Sequence, residues 1–348
     1  MKCYDKPALS NSGHIQQWQQ RGMLIPDEAR AQRYLSHISY YRLSAYAIPF
    51  YRPPAAAHQF RPQTAFDDVL TLYVFDRELR LLVMDAIERV EVAVRAQIVN
   101  HMATSNGNHA FWYLDERHFK HDYPHKRLLA DIERQLDEEQ RRLENDERHV
   151  DKRHALTPEQ KEQLKARLRQ ENFLRHYLCS YETPKLPPCW MMAEMLTLGS
   201  LSRLYAGLRK QADQKAIARG LGTHAELLES YLKSLNSVRN FCAHHARLWN
   251  RELGVSIKLP KSSQVRWLQQ DIILTDRHVR YEKRLYPVLV ALQSLLYTIS
   301  PGSSWAQRLF ALLERYPIAS RAHMGMPELW QTDPFWHEAL QPKKEYTA

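Results

Sequence analysis

Glycine is scarce in this chain, 10 residues of 348, and strict apolar–polar alternation is rare. That excludes the β-sandwich and β-barrel classes, which need turn residues and period-two strands at short intervals. No apolar run reaches the length of about 18 residues that marks a membrane-spanning helix, so no membrane partner is expected. The first residues lack the apolar stretch of a secretory leader. Cys3, Cys179, Cys189 and Cys242 are scattered, with no CxxC pair. They read as free thiols in a reducing compartment, and the cytoplasm is the expected location. There is no Gly-rich phosphate loop, no GxSxG elbow and no Walker pattern.

What the chain does have is helical periodicity. Helices are expected over 27–47, 66–103, 122–148, 157–178, 190–208, 211–220, 225–250, 281–299 and 305–316, followed by an irregular tail packed on the body. In the longest, Val69, Leu72, Leu79, Val83, Ile87, Val90, Val94 and Ile98 recur at three and four. Thr157-Pro158-Glu159-Gln160 reads as a fresh helix start, with Pro at the first helical position. The two helices around it are charge-laced, as solvated hairpins are. The reading is one all-α domain over 1–348. It divides into a basic N-terminal segment (1–65), a charged helical-hairpin insertion (116–182), a motif-bearing core (183–300) and a C-terminal helix with a tail (301–348).

Net charge is +10, unevenly spread. Residues 1–61 carry 8 Lys or Arg against 3 acids, and 177–260 carry 11 against 6, whereas 62–115 carry 4 against 8. The basic excess thus falls at the N-terminus and around 239–251, and a polyanion such as RNA is the natural partner.

In that second basic region stands Arg239-Asn240-Phe241-Cys242-Ala243-His244-His245. At about 100° per residue, Asn236, Arg239, Asn240, His244, Arg247 and Arg251 fall on one helix face. Leu235, Val238, Phe241, Cys242, His245, Leu248 and Trp249 fall on the other. His245 is therefore expected to be a structural histidine on the packed side. An Arg with four to six residues between it and a later His is common here: Arg30/His37, Arg52/His58, Arg95/His101 and Arg148/His154 all fit. What distinguishes Arg239 and His244 is the polar row they share with Asn240, backed by an apolar face. Asn240 at four residues from His244 can orient the imidazole. Arg239 can fork onto a phosphate. A histidine titrates near neutrality and can move a proton. RNA carries its own nucleophile in the 2′-hydroxyl, so these groups suffice to cleave it without a metal or other cofactor. A structural polar helix face is the competing reading. Arg247 and Arg251 are expected to help hold RNA.

Ser39-Tyr40-Tyr41-Arg42-Leu43-Ser44-Ala45-Tyr46 mixes aromatic and basic residues. Tyr41, Arg42 and Arg52 are the N-terminal candidates for RNA contact, by stacking and charge. A helix that buries its tyrosines is the alternative. His118, His121 and His125 have a spacing that can line one helix face as metal ligands, but Pro124 interrupts the helix and no Cys completes the set. Solvated histidines are the expectation. Asp76, Arg77 and Arg80 are read as structural ion-pairing residues near the site, with contact to the RNA as the alternative.

The segment from Arg239 to Arg251 resembles the signature of the AbiD/AbiF type of bacterial abortive-infection proteins. Further blocks match in order: Lys6-Pro7 with Arg21-Gly22, Tyr34 to Tyr46, Phe75-Asp76-Arg77-Glu78-Leu79-Arg80, Phe111-Trp112-Tyr113-Leu114, Leu196 to Ser202, and Met324-Gly325-Met326-Pro327 with Trp330. The resemblance implies the HEPN superfamily, helical proteins whose hallmark is an Arg and a later His on a late helix. Its active members are metal-independent endoribonucleases, many of them toxins or antiphage effectors. Arg239, Asn240 and His244 occupy the hallmark positions. Most such nucleases join two copies of the motif across an interface. One copy per chain therefore implies a homodimer with a composite site. Some relatives are paired with a structured regulatory small RNA. A catalytically silent module holding such an RNA, or a phage component, is the alternative function.

Overall fold

The computed structural model describes residues 7–105, 107, 109–261, 264–269 and 281–341. Cys3, Lys6 and the last seven residues of the expected tail lie outside the described residues. In chain order the α-helices are α1 (Asn11–Gln20), α2 (Glu28–Ile38), α3 (Tyr40–Ala47), α4 (Phe66–Ser105), α5 (His125–Asp151), α6 (Pro158–Gln170), α7 (Phe173–Ser180), α8 (Cys189–Met195), α9 (Leu198–Gly207), α10 (Gln211–Gly220), α11 (Ala225–Ala243), α12 (Leu285–Ile299), α13 (Trp305–Arg315) and α14 (Pro334–Leu340). Extended pairing among the described residues is limited to three isolated bridges, such as Tyr51 with Phe60. The fold is all-α, and no described helix is long and apolar enough to cross a membrane.

Helix α4 is the spine. Its 40 residues span about 60 Å at 1.5 Å per residue. α3 and α8 through α13 all pack on it. Its predicted apolar row is buried from Val69 to Ile98. Every residue of helix α12 from Leu285 to Tyr297 is buried, the polar Gln293 and Ser294 included, so this helix lies inside the core.

Several boundaries differ from expectation. The helix expected over 27–47 breaks at Ser39, which takes φ 71° and caps the new helix by accepting from the Arg42 N–H. The 190–208 helix divides after Met195, because Thr197 starts a second helix by accepting from the Ser200 N–H at 3.2 Å. The tail is not irregular throughout. It contains α14, whose Trp336 is fully buried and donates to the Tyr286 hydroxyl at 2.9 Å. Helix α1, with Ile15 and Trp18 buried, has no counterpart among the expected helices.

The charged insertion has three helices rather than two. Thr157 and Gln160 form a reciprocal capping box at the start of α6. α5 packs on α6 and α7 and buries Leu128, Ile132, Leu136 and Leu143. At its centre Arg175, 5% exposed, bonds Glu139 at 2.7 Å, Asp146 at 2.8 Å and Glu171 at 2.6 Å.

The packing of α9 on α11 matters for the site. A Cβ on Gly199 would lie 3.0 Å from Asn236 Oδ1 and 3.3 Å from its Cγ. The glycine thus lets the Asn236 carboxamide rest against the first turn of α9. Gly199→Ala is expected to push Asn236 aside at a cost of about 1 kcal/mol, read as a lower urea midpoint at unchanged slope.

Candidate active site

Helix α11 carries the polar row, and its apolar side is buried as expected: Leu228, Leu235 and Val238 are inaccessible and Cys242 nearly so. Burial pushes the Cys242 thiol up to about 12, so it stays protonated and inert at neutral pH. On the other side Arg239 is half-buried, and Asn240 and His244 are exposed. Among the described residues, the side chains of these three make no hydrogen bond or ion pair with the rest of the protein.

The helix does not continue to 250. It ends at Ala243, with His244 as its C-cap. The His244 N–H still bonds the Asn240 carbonyl at 3.0 Å, so the two side chains keep their helical relation. His245 then enters the left-handed region at φ 54°. Its N–H bonds the Cys242 carbonyl at 3.0 Å, and the Ala246 N–H bonds the Phe241 carbonyl at 2.8 Å. This is the Schellman motif, with a histidine where glycine usually stands. His245 is exposed and not on a packed side. The helical projection fails there because the backbone has already turned. A branched side chain at such a φ costs more than histidine, and glycine costs nothing sterically. His245→Val is therefore expected to lose about 1–2 kcal/mol, and His245→Gly to match or slightly exceed the native protein. Urea denaturation of both variants checks the sign.

Past that turn the chain is fastened to α3 and α4. The Asp76 carboxylate accepts from the Trp249 N–H at 2.6 Å and the Leu248 N–H at 3.2 Å. It also accepts from the Tyr46 hydroxyl at 2.6 Å and pairs with Arg80. Asp76 is fully buried and Arg80 nearly so. Burial pushes the Asp76 carboxyl up, against the opposing pull of Arg80, the Tyr46 hydroxyl and the two backbone N–H groups. Arg80 also reaches the Ala246 carbonyl at 3.4 Å. Arg42 donates to the His245 carbonyl, and Arg247 donates back to the Ala45 carbonyl. Trp249, 1% exposed, closes the anchor by donating to the Ser320 carbonyl at 3.0 Å. Three sequence blocks, 39–46, 75–80 and 239–251, thus converge on one turn. Of the ion-pairing trio, Asp76 and Arg80 are the buried pair, while Arg77 is exposed.

The other candidates divide. Arg247 and Arg251 leave the helix row: Arg247 is tied to α3, and Arg251 lies 4.0 Å over the Phe241 ring and donates to the Arg247 carbonyl at 3.1 Å. Both guanidinium groups serve the turn. Arg42 sits at the motif's end, and its neighbour Tyr41 is 88% exposed, so the tyrosines of this block are not all buried. Tyr46 is buried, and Tyr40 stacks on His14 at 3.8 Å. Arg52 is exposed on the bridge between Tyr51 and Phe60, away from these anchoring contacts. Asn236 is taken up against α9.

The histidine set does not converge. His118 sets its ring edge-on to Trp112, His125 Nε2 bonds the Tyr113 carbonyl at 2.8 Å, and only His121 is exposed. Two of the three are thus packed rather than solvated. Among the described residues no group of three or more His, Cys, Asp or Glu side chains could hold a metal.

A family model described as Abi-like protein matches residues 33–250. The match begins in α2 and ends just past the Asp76-anchored turn. No curated protein and no solved structure matches the chain.

Proposed function

This chain belongs to the Abi-like protein family, and from that premise we propose that it is an abortive-infection effector, of the AbiD/AbiF type within the HEPN superfamily, that cleaves RNA without a metal. One observation carries the reading. Arg239, Asn240 and His244 have no internal partner among the described residues, whereas the backbone that presents them is fixed by Asp76, Arg80 and Arg42. Polar groups held by so much buried structure, yet spent on no contact of their own, suit a ligand.

The chemistry follows from the groups. The 2′-hydroxyl oxygen attacks the adjacent phosphorus and loses its proton to a base. The bond to the 5′-oxygen breaks, and that oxygen takes a proton from an acid. His244 handles a proton, Arg239 stabilises the charge that builds on the phosphate oxygens, and Asn240, one turn before His244, orients the imidazole once RNA is bound. A single imidazole serves only one of the two proton transfers at a time. Two copies of the chain, each supplying the motif, give both the acid and the base, which is the reason to propose a homodimer. Arg42 and Tyr41 lie where an RNA strand leaving the motif would meet charge and an exposed ring.

Labelled single-stranded RNA incubated with the purified protein is expected to be cut equally with and without EDTA. Loss of cutting in EDTA, restored by a divalent ion, would assign the chemistry to a metal instead. Light scattering is expected to give twice the chain mass of 41.1 kDa.

A further inference from the structure

The opposite end of the motif helix carries a second feature. A cavity of about 1010 Å³ opens at the start of α11, between α10 and residues 258–261, 264 and 265. It is at the upper end of the range for small-molecule sites. Its wall presents Lys215 and Arg219 from α10, and Lys258 and Lys261 from the later segment. Against these cations stands Glu226, which pairs with Lys258 at 3.4 Å. The balance is strongly positive.

The backbone adds to it. No side chain caps the first turn of α11. The helix's first bond runs from the Leu228 N–H to the His224 carbonyl at 2.9 Å, so the N–H groups of the preceding turn point out of the helix with its positive dipole end. A separate observation also points to a ligand. Thr223 forms part of the cavity wall and is 6% exposed, yet its Oγ1 has no hydrogen-bond partner among the described residues. A buried hydroxyl without a partner is costly and calls for one. Leu259, 39% exposed, gives the same cavity an apolar surface.

We propose that this cavity binds a polyphosphorylated nucleotide, either free or as the 5′ end of an RNA. The phosphates lie at the first turn of α11, between Lys215, Arg219 and Lys261, with Thr223 Oγ1 as a donor. The base lies on Leu259. A lone phosphate fills too little of the cavity and leaves that surface bare. The site is the far end of α11 from His244, about 28 Å away along 19 helical residues. It is therefore distinct from the proposed cleavage site.

The test uses the full chain carrying His244→Ala, so that binding is read whether or not the protein cleaves RNA. Fluorescence anisotropy with labelled ATP, labelled GTP, and a short RNA bearing either a 5′-triphosphate or a 5′-hydroxyl gives Kd for each. Saturable binding of a mononucleotide identifies the free ligand; binding of the triphosphorylated RNA alone identifies an RNA end. In either case Lys215→Ala with Arg219→Ala, both on exposed positions, is expected to weaken binding at least about tenfold, since two charge-assisted contacts are lost. Thr223→Val is expected to weaken it several-fold. No saturable binding of either mononucleotide together with equal binding of the two RNAs, or binding that none of these variants moves, overturns the proposal.

Discussion

His244→Ala and Arg239→Ala are each expected to lower RNA cleavage by about a hundredfold to ten-thousandfold, the range that removal of a general acid–base or of a positioned charge produces. The fold is expected to survive both changes. His244 is exposed, and Arg239 makes no ion pair among the described residues, so neither substitution leaves a buried partner stranded. Surface changes of this kind cost within about 0.5 kcal/mol. The pair of outcomes is what separates a catalytic row from a structural polar face. If the row merely solvated the helix, cleavage would persist in both variants. If either side chain held the helix end, the melting temperature would fall with activity. His244→Gln retains hydrogen bonding but cannot titrate, and it is expected to be as inactive as His244→Ala.

Asp76→Ala is expected to have the largest effect on stability, a loss of about 3–5 kcal/mol, because it leaves the buried Arg80 charge unpaired. It also strips the acceptor from the Leu248 and Trp249 N–H groups and from the Tyr46 hydroxyl. Those two consequences can be told apart. Replacing a buried ion pair as a whole with apolar residues of similar volume is often nearly neutral. The double variant Asp76→Leu/Arg80→Met is therefore expected to recover the part due to the stranded charge. It still leaves two buried amides without acceptors, at about 1–3 kcal/mol each, so recovery is incomplete. Urea denaturation of the single and double variants reads both terms. Full recovery in the double variant would mean that Asp76 does not hold the turn after His244. An Asp76→Ala loss below about 1 kcal/mol would contradict the anchor altogether.

The helices were legible where periodicity is long. The apolar row of α4 and the largely apolar α12 are set by burial, which the sequence encodes residue by residue. The helix start at Thr157 and Pro158 was legible for a local reason of another kind, the proline at the first helical position; the structure adds the capping box with Gln160. The breaks at Ser39 and His245 were not. Both residues take a positive φ without being glycine. At Ser39 the break goes with a local side-chain cap on the Arg42 N–H; at His245 it is tertiary, the Asp76, Arg80 and Arg42 contacts pulling the chain out of the helix just past the motif. Projecting a helix to 250 therefore placed Arg247 and Arg251 on the polar row and His245 on the packed side, whereas the turn does the reverse. The position of Arg239, Asn240 and His244 survives because the backbone bond from His244 to Asn240 preserves helical spacing up to the cap. Charged residues at core positions of α4, Asp76 and Arg80 four apart, were the one sequence sign of the anchor.

The most direct measurement is the chemistry of the RNA ends made by the native protein in EDTA. Attack by the 2′-hydroxyl, with His244 moving the proton, predicts a 2′,3′-cyclic phosphate on one fragment and a 5′-hydroxyl on the other, both missing from the His244→Ala reaction. Fragments ending in a 3′-hydroxyl and a 5′-phosphate would require water as the nucleophile and would contradict the account.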